Sequence, residues 1–244
     1  MFKAIRGKKV LITGASGGIG ASMALLFAKH GAVLGLHYNS GKEAADSLVM
    51  EVEKYGSQAS LFQADLLRES SETLVDAFID HFGGIDILIN NAGAVLGFKD
   101  FLELDDKSWE ETFKLNAQVP FFMAQRAFAY MKKNDGGKII NVSSVAAKYG
   151  GSERSLHYGA AKAALEAETI GLARAGAKYN ILVNAIRGGF IDTPFHQKLR
   201  SKNIEERVQL IPLKRAGQPK DVASMALFLA SEGGDFITGE ILAV

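Results

Sequence analysis

The chain has 244 residues, enough for one large α/β domain with a substantial core, and its 48% hydrophobic and 23% charged content is ordinary for a globular protein. A net charge of +1 without a long basic run leaves no electrostatic footprint for nucleic acid, and no apolar stretch reaches the roughly 18 residues of a membrane helix. With no cysteine, disulfides and thiolate chemistry are excluded, and the five histidines (30, 37, 81, 157 and 196) are too scattered to suggest a metal site.

The start of the chain, Met1 to Lys9, is basic but runs straight into a strand, so no signal peptide is expected and a cytoplasmic location is the default. Short apolar strands then alternate with helical patterns. Val10–Ile12 is followed by a glycine turn and a helix through His30; Ala32–Leu36 is followed by a helix over Lys42–Lys54. Ala59–Ala64, a helix to Phe82, Ile85–Ile89, Lys138–Val142 and Ile181–Ile186 continue the alternation. Short, continuously apolar strands fit a parallel sheet buried on both faces. The alternation predicts a single-domain α/β fold, a doubly wound parallel sheet of about seven strands with helices on both faces.

Thr13-Gly14-Ala15-Ser16-Gly17-Gly18-Ile19-Gly20 joins the first strand to the first helix. Glycines there permit a tight turn and let backbone amides approach a pyrophosphate at the helix N-terminus. A purely structural glycine turn is the alternative, because the spacing departs from G-x-G-x-x-G. The lack of a Walker lysine favours a dinucleotide. At the end of the second strand, an acidic residue would select NAD through the ribose 2′-hydroxyl. His37-Tyr38-Asn39-Ser40-Gly41-Lys42 has no carboxylate. Asn39 and Ser40 can hydrogen-bond a 2′-phosphate and Lys42 could add charge, so NADP is preferred over NAD. A polar turn with Lys42 in solvent is the alternative.

Tyr158 and Lys162 stand four residues apart at the start of a helical run to Ala177, which places them on one helix face. An ammonium beside a phenol is expected to lower the phenol pKa from about 10 and make it a general acid/base. Tyr38 and Lys42 share the spacing, but Asn39, Ser40 and Gly41 between them predict a turn.

With these motifs in order, nearly the whole chain resembles the short-chain dehydrogenase/reductase family. Thr13–Gly20 resembles its glycine motif, and Asp65-Leu66, ending the third strand, its adenine-holding pair. Asn90-Asn91-Ala92-Gly93 matches its Asn-Asn-Ala-Gly motif. Asn116, Ser144, Tyr158 and Lys162 fall where its catalytic tetrad belongs. The resemblance implies cofactor contacts from Gly14, Ser16, Gly18, Ile19, Gly20, Asn39, Ser40, Asp65, Leu66, Asn91, Ala92, Gly93, Tyr158, Lys162, Gly189, Ile191 and Thr193. It also implies that Tyr158 exchanges the proton, Lys162 lowers its pKa and binds the nicotinamide ribose, Ser144 holds the substrate oxygen, and Asn116 holds a relay water. Ser143 competes with Ser144; the Val-Ser-Ser pattern selects the second serine.

Several departures stand out. Gly188-Gly189 replaces the family's Pro-Gly, which predicts a looser grip on the nicotinamide that Gly188→Pro would tighten. Arg187 replaces a small residue and is expected to snorkel to the surface, with an anionic substrate as the alternative. His157 is either a substrate contact or a surface residue. The region around 190–215 resembles a substrate lid, with Gln197, Lys198, Arg200, Glu205 and Glu206 in a mixed-charge pattern. The last strand, Phe236–Val244, stops short of the family's glycine pair, which puts the second interface of an expected homotetramer (or homodimer) in doubt. Segments 211–219 and 236–239 are most like the 3-oxoacyl-carrier-protein reductase and sugar or polyol dehydrogenase branches. Lys132, Lys133 and Lys178 are candidates for receiving an acidic carrier, with scattered surface lysines preferred.

The resulting expectation is an NADP-preferring oxidoreductase acting on a small-molecule ketone or secondary alcohol. The alternatives are a catalytically silent nicotinamide-binding regulator or scaffold, an epimerase, and an NAD-dependent sugar or polyol dehydrogenase. No nucleic-acid, membrane or metal partner is expected.

Overall fold

The computed structural model describes residues 5–193 and 204–244. Seven strands form one sheet: β1 (Lys9–Ile12), β2 (Val33–Tyr38), β3 (Ala59–Gln63), β4 (Ile87–Asn90), β5 (Gly137–Ser144), β6 (Ile181–Gly188) and β7 (Ile241–Ala243). Their order is β3-β2-β1-β4-β5-β6-β7, and every pairing is parallel.

Strand side chains alternate between two apolar layers, as a period of two requires. Val10, Ile12, Ile87, Ile89, Ile140 and Val142 point to one face, where α1 (Gly18–Lys29), α2 (Lys42–Glu53) and α9 (Pro219–Ala230) cover them with Met23, Phe27, Leu48, Val222 and Leu227. Leu11, Leu88, Ile139 and Val183 point to the other, under α3 (Ser71–Phe82), α5 (Val119–Met131) and α7 (Leu156–Gly176), which contribute Phe78, Met123, Met131 and Ala173. Burial on both faces explains why the strands read as continuous apolar runs.

Shorter helices complete the described chain: α4 (Asp106–Phe113), α6 (Val145–Tyr149) and α8 (Ile204–Leu210). Asp105 caps α4 by accepting from the Ser108 amide at 2.7 Å, and Lys114–Gln118 then continues as a π turn into α5. The sequence pattern predicts only a helix in this stretch, because one extra residue in a turn leaves little trace in hydrophobic periodicity.

The chain order reverses between β1 and β4, which opens a crevice at the carboxyl ends of the strands, the usual ligand position in such sheets. Boundaries differ from expectation by a few residues. Asp65 and Leu66 follow β3 rather than end it, and Arg187 and Gly188 belong to β6 rather than to the segment after it. Of the lid pattern, Gln197, Lys198 and Arg200 lie outside the described residues. Among the described residues, no helix is long and apolar enough to cross a membrane.

On α7, Glu168 Oε2 is buried without a hydrogen-bond partner among the described residues, and burial pushes the carboxyl pKa from 4.5 to about 7. The folded protein therefore holds this proton more tightly than the unfolded chain. Its contribution to stability is present below about pH 4.5 and is lost as pH rises through about 7. We expect Glu168→Gln to melt at a higher temperature than the parent at pH 8 and close to it at pH 4.5. Equal differences at both pH values in thermal melts would remove this assignment.

Candidate active site

A cavity of about 280 Å³ opens at the switch point, lined by the glycine turn, Asn91–Gly93, Val142–Ser144, Tyr158, Lys162, Gly188, Gly189, Ile191 and Thr193. Of the expected cofactor residues, Gly14, Gly18, Ile19, Asn91, Ala92, Gly93, Gly189, Ile191 and Thr193 line this space together with Ser144, Tyr158 and Lys162. Gly20 is buried behind the turn. Asn116 is fully buried against Gly93. Ser16, Asp65 and Leu66 do not line it, and Asn39 and Ser40 lie exposed beyond β2.

Polar groups from neighbouring strands hold the glycine turn. Thr13 Oγ1 donates to the Ile89 carbonyl at 3.3 Å and accepts from the amides of Asn91 at 2.9 Å and Ala92 at 3.0 Å, which uses its full capacity. The Asn91 carboxamide donates to the carbonyls of Thr13 at 2.9 Å and Gly14 at 3.1 Å. From β2, His37 Nδ1 accepts from the Gly14 amide at 3.1 Å while Nε2 meets the Ala64 carbonyl at 3.1 Å. A backbone N–H can only donate, so this geometry places the ring proton on Nε2 and keeps the imidazole neutral. Burial agrees, pushing the His37 pKa below its ordinary value. Asp65 Oδ1 accepts from the Leu67 amide at 3.0 Å, so its carboxylate also shapes the local turn.

The N-cap of α1 is Gly17, which supplies no side-chain cap, so the amides of the first turn are not consumed by one. Positive φ at Gly14 and Gly18 bends the backbone around this end. Exposed amides at a helix N-terminus beside a wall of glycine backbone fit the pyrophosphate of a dinucleotide.

Tyr158 and Lys162 lie in the first two turns of α7, with the Lys162 ammonium 5.8 Å from the phenol ring centroid. Lys162 Nζ donates to the Val142 carbonyl at 2.8 Å. Burial lowers the Lys162 pKa to about 8, against an opposing pull from Glu166. Tyr158 departs from expectation: burial pushes its pKa up to about 12, and the Ser144 hydroxyl bonded to the phenol only partly offsets this. Same-face placement is therefore not enough for Lys162 to depress the phenol, because burial dominates.

Ser144 also caps α6, its Oγ accepting from the Ala146 amide at 3.2 Å. Ser143 points the other way along the pleat and donates to Glu166 at 2.8 Å. Asn116 sits in the π turn, where its Nδ2 donates to the carbonyls of Ala94 at 2.7 Å and Thr112 at 2.8 Å. Its Oδ1 has no partner among the described residues. A Cβ on Gly93 would come within 2.6 Å of that oxygen and 3.3 Å of Lys162 Nζ, so only glycine leaves these two groups open to one another.

Three further expectations change. His157 is not a surface residue: it is 1% exposed, and its Nε2 bonds the Leu96 carbonyl at 2.7 Å. Together with Thr112 it fastens the loop after Gly93. Arg187 does not snorkel to the surface, because it pairs with Glu166 at 2.6 Å between α7 and the sheet. Lys132 and Lys178 are not scattered; both lie over the Tyr179 ring, at 4.6 and 5.1 Å, just before β6 at the amino-terminal end of the strands, opposite the cavity.

Sequence reasoning missed Glu166, although it is the next residue after Tyr158 and Lys162 in the same i, i+4 series. The roles of His37 and Thr13 carried no local signal, since their partners lie tens of residues away.

Comparison with known proteins agrees with this geometry. Residues 14–244 match the family described as Enoyl-(Acyl carrier protein) reductase. The chain is 36% identical over 243 residues to a 3-oxoacyl-acyl-carrier-protein reductase of Thermotoga maritima, covering 98% of this chain and 97% of the relative. Among solved structures, a blue fluorescent protein from a metagenomic library, in complex with NADPH, superposes with a TM-score of 0.92 at 35% identity, covering 99% of this chain and 97% of that one. A 7α-hydroxysteroid dehydrogenase complexed with NADH and 7-oxo glycochenodeoxycholic acid also gives 0.92 at 34% identity, covering 99% and 94%. The chain belongs to the short-chain dehydrogenase/reductase family, NAD(P)-dependent oxidoreductases acting on alcohol and ketone groups.

Proposed function

We propose that this protein reduces a small-molecule ketone to a secondary alcohol with NADP(H) as the preferred cofactor, and that Tyr158 supplies the proton. The observation that carries this reading is the meeting, in one cavity, of the Tyr158 phenol, the Ser144 hydroxyl bonded to it and the Lys162 ammonium.

A bound nicotinamide would supply the hydride. The chain's own residues do the rest. Burial pushes the Tyr158 pKa up to about 12, so the phenol carries its proton at neutral pH, the form a donor to a carbonyl oxygen requires. Ser144 would hydrogen-bond the same oxygen as negative charge develops on it. Lys162 would return a proton to Tyr158, and Asn116, with its buried Oδ1 facing Gly93, would hold a water joining Lys162 to solvent. Thr13, Asn91 and His37 keep the glycine turn in place for the pyrophosphate. Asn39 and Ser40, exposed at the end of β2, would meet the adenosine ribose, where the absence of a carboxylate favours a 2′-phosphate. Lys42 contributes less than its charge suggests, because it is paired with Asp46 at 2.8 Å. A cytoplasmic homotetramer packed through α5 and α7 completes the reading, with residues 190–215 as substrate lid in a single cofactor-binding domain.

Parallel titrations with NADPH and NADH, followed by nicotinamide fluorescence, test the cofactor assignment. We expect NADPH to bind at least tenfold tighter. Tighter binding of NADH would overturn the assignment of Asn39 and Ser40 and point toward alcohol oxidation.

A further inference from the structure

Below Lys162 on α7, side chains from three elements meet. Arg187 of β6 grips both oxygens of Glu166, Nε to Oε1 at 2.9 Å and Nη2 to Oε2 at 2.6 Å, and Ser143 of β5 donates to Oε1 at 2.8 Å. The pair is largely removed from water, with side-chain exposures of 21% for Arg187 and 12% for Glu166. Ser143 and Arg187 are register partners across β5 and β6, so the network pins α7 to the sheet.

A Lys and a Glu four residues apart on a helix are natural ion-pair partners. Lys162 and Glu166 have that spacing, and both are buried. Yet they are not paired: the Glu166 oxygens are taken by Arg187 and Ser143, and Lys162 donates to Val142. Stability alone is a poor reason for such an arrangement, since taking two charges out of water costs about as much as their attraction returns. Location supplies a better one. Each member adjoins a residue of the cavity: Ser143 precedes Ser144, Arg187 precedes Gly188, and Glu166 lies one turn beyond Lys162.

We propose that Arg187, helped by Ser143, withholds the Glu166 carboxylate from Lys162, so that the Lys162 ammonium stays directed into the cavity. Arg187 and Glu166 are thus positioning residues, and the proposal rests on reading Lys162 as part of the proton-handling group. The groups facing this cluster are Tyr158 on the same helix, Asn116 Oδ1 from the π turn, the Val142 carbonyl and Ser143 from β5, and Tyr149 of α6, which interacts electrostatically with Arg187.

The test is the titration midpoint of Lys162, read from its side-chain 15Nζ shift in the intact protein. Arg187→Met frees the carboxylate to pair with Lys162 and is expected to raise the midpoint by about one pH unit, since an opposite charge brought close favours the ammonium. Adding Glu166→Gln removes the captor, and the double variant is expected to return to the parent midpoint or below it. Arg187→Gln, which keeps a hydrogen bond to the carboxylate, is expected to raise the midpoint less and serves if the Met variant does not fold. An unmoved midpoint in a folded Arg187 variant, or an equal rise in the double variant, overturns the proposal. The titration needs neither substrate nor turnover. Its failure would leave the catalytic reading intact, whereas full activity in Tyr158→Phe would overturn that reading and leave the titration standing.

Discussion

Tyr158→Phe is expected to lower kcat for carbonyl reduction by about a thousandfold while leaving NADPH affinity within a factor of two. The substitution removes one oxygen and keeps the ring, so the packing around the first turn of α7 and the Lys162 ammonium 5.8 Å from the ring centroid are retained. What disappears is the phenol hydroxyl and its hydrogen bond to Ser144. Proton transfer from a placed side chain is worth about 10²–10⁴ in rate, or roughly 3–5 kcal/mol of barrier. The measurement is steady-state kcat beside cofactor binding by fluorescence. A variant that turns over near the parent rate would remove Tyr158 from the chemistry. One that loses turnover and cofactor together would instead point to a collapsed site.

Gly20→Ala is expected to have the largest structural effect. Gly20 has no positive φ, so the obstacle is space. A Cβ there would lie 2.2 Å from the Gly14 carbonyl oxygen, 2.8 Å from Asn91 Nδ2 and 2.9 Å from the Ala15 Cα. Two of these three are backbone atoms, and the third is the carboxamide that bonds the Thr13 and Gly14 carbonyls, so no side chain can simply rotate away. The turn has to move, which strains the helix start and breaks those hydrogen bonds. Overpacking of this kind costs about 1–3 kcal/mol, or roughly 3–10 °C in Tm for a domain of this size, and cofactor affinity should fall at least tenfold. Gly17→Ala is the control for stability, since nothing lies within 4 Å of its Cβ position and its φ is extended. Equal Tm for the two variants would refute the steric argument.

Much of the architecture was legible in the residues because parallel strands buried on both faces must be apolar on both. Runs such as Ile85–Ile89 and Ile181–Ile186 announce themselves against the helices between them. The glycine turn, the Asn-Asn-Ala-Gly segment and the spacing of Tyr158 and Lys162 are local in sequence, so they too could be read directly. Element ends were less clear. The π turn holding Asn116, the exit of Asp65 from β3 and the start of α7 ahead of Tyr158 depend on capping and neighbouring contacts rather than on periodicity.

By itself, then, the sequence determined the order of strands and helices and the family, because each is encoded in periodicity or in short motifs. Only the tertiary structure decided where the charges went. Arg187 is bound by Glu166 because α7 packs on β6 and brings residues 21 positions apart into one buried layer. His157 and His37 became internal fasteners because the loop after Gly93 and the glycine turn fold over them. Tyr158 keeps its proton because burial outweighs the hydrogen bond from Ser144. Burial and long-range pairing are properties of the packed sheet, and no local spacing in the chain records them.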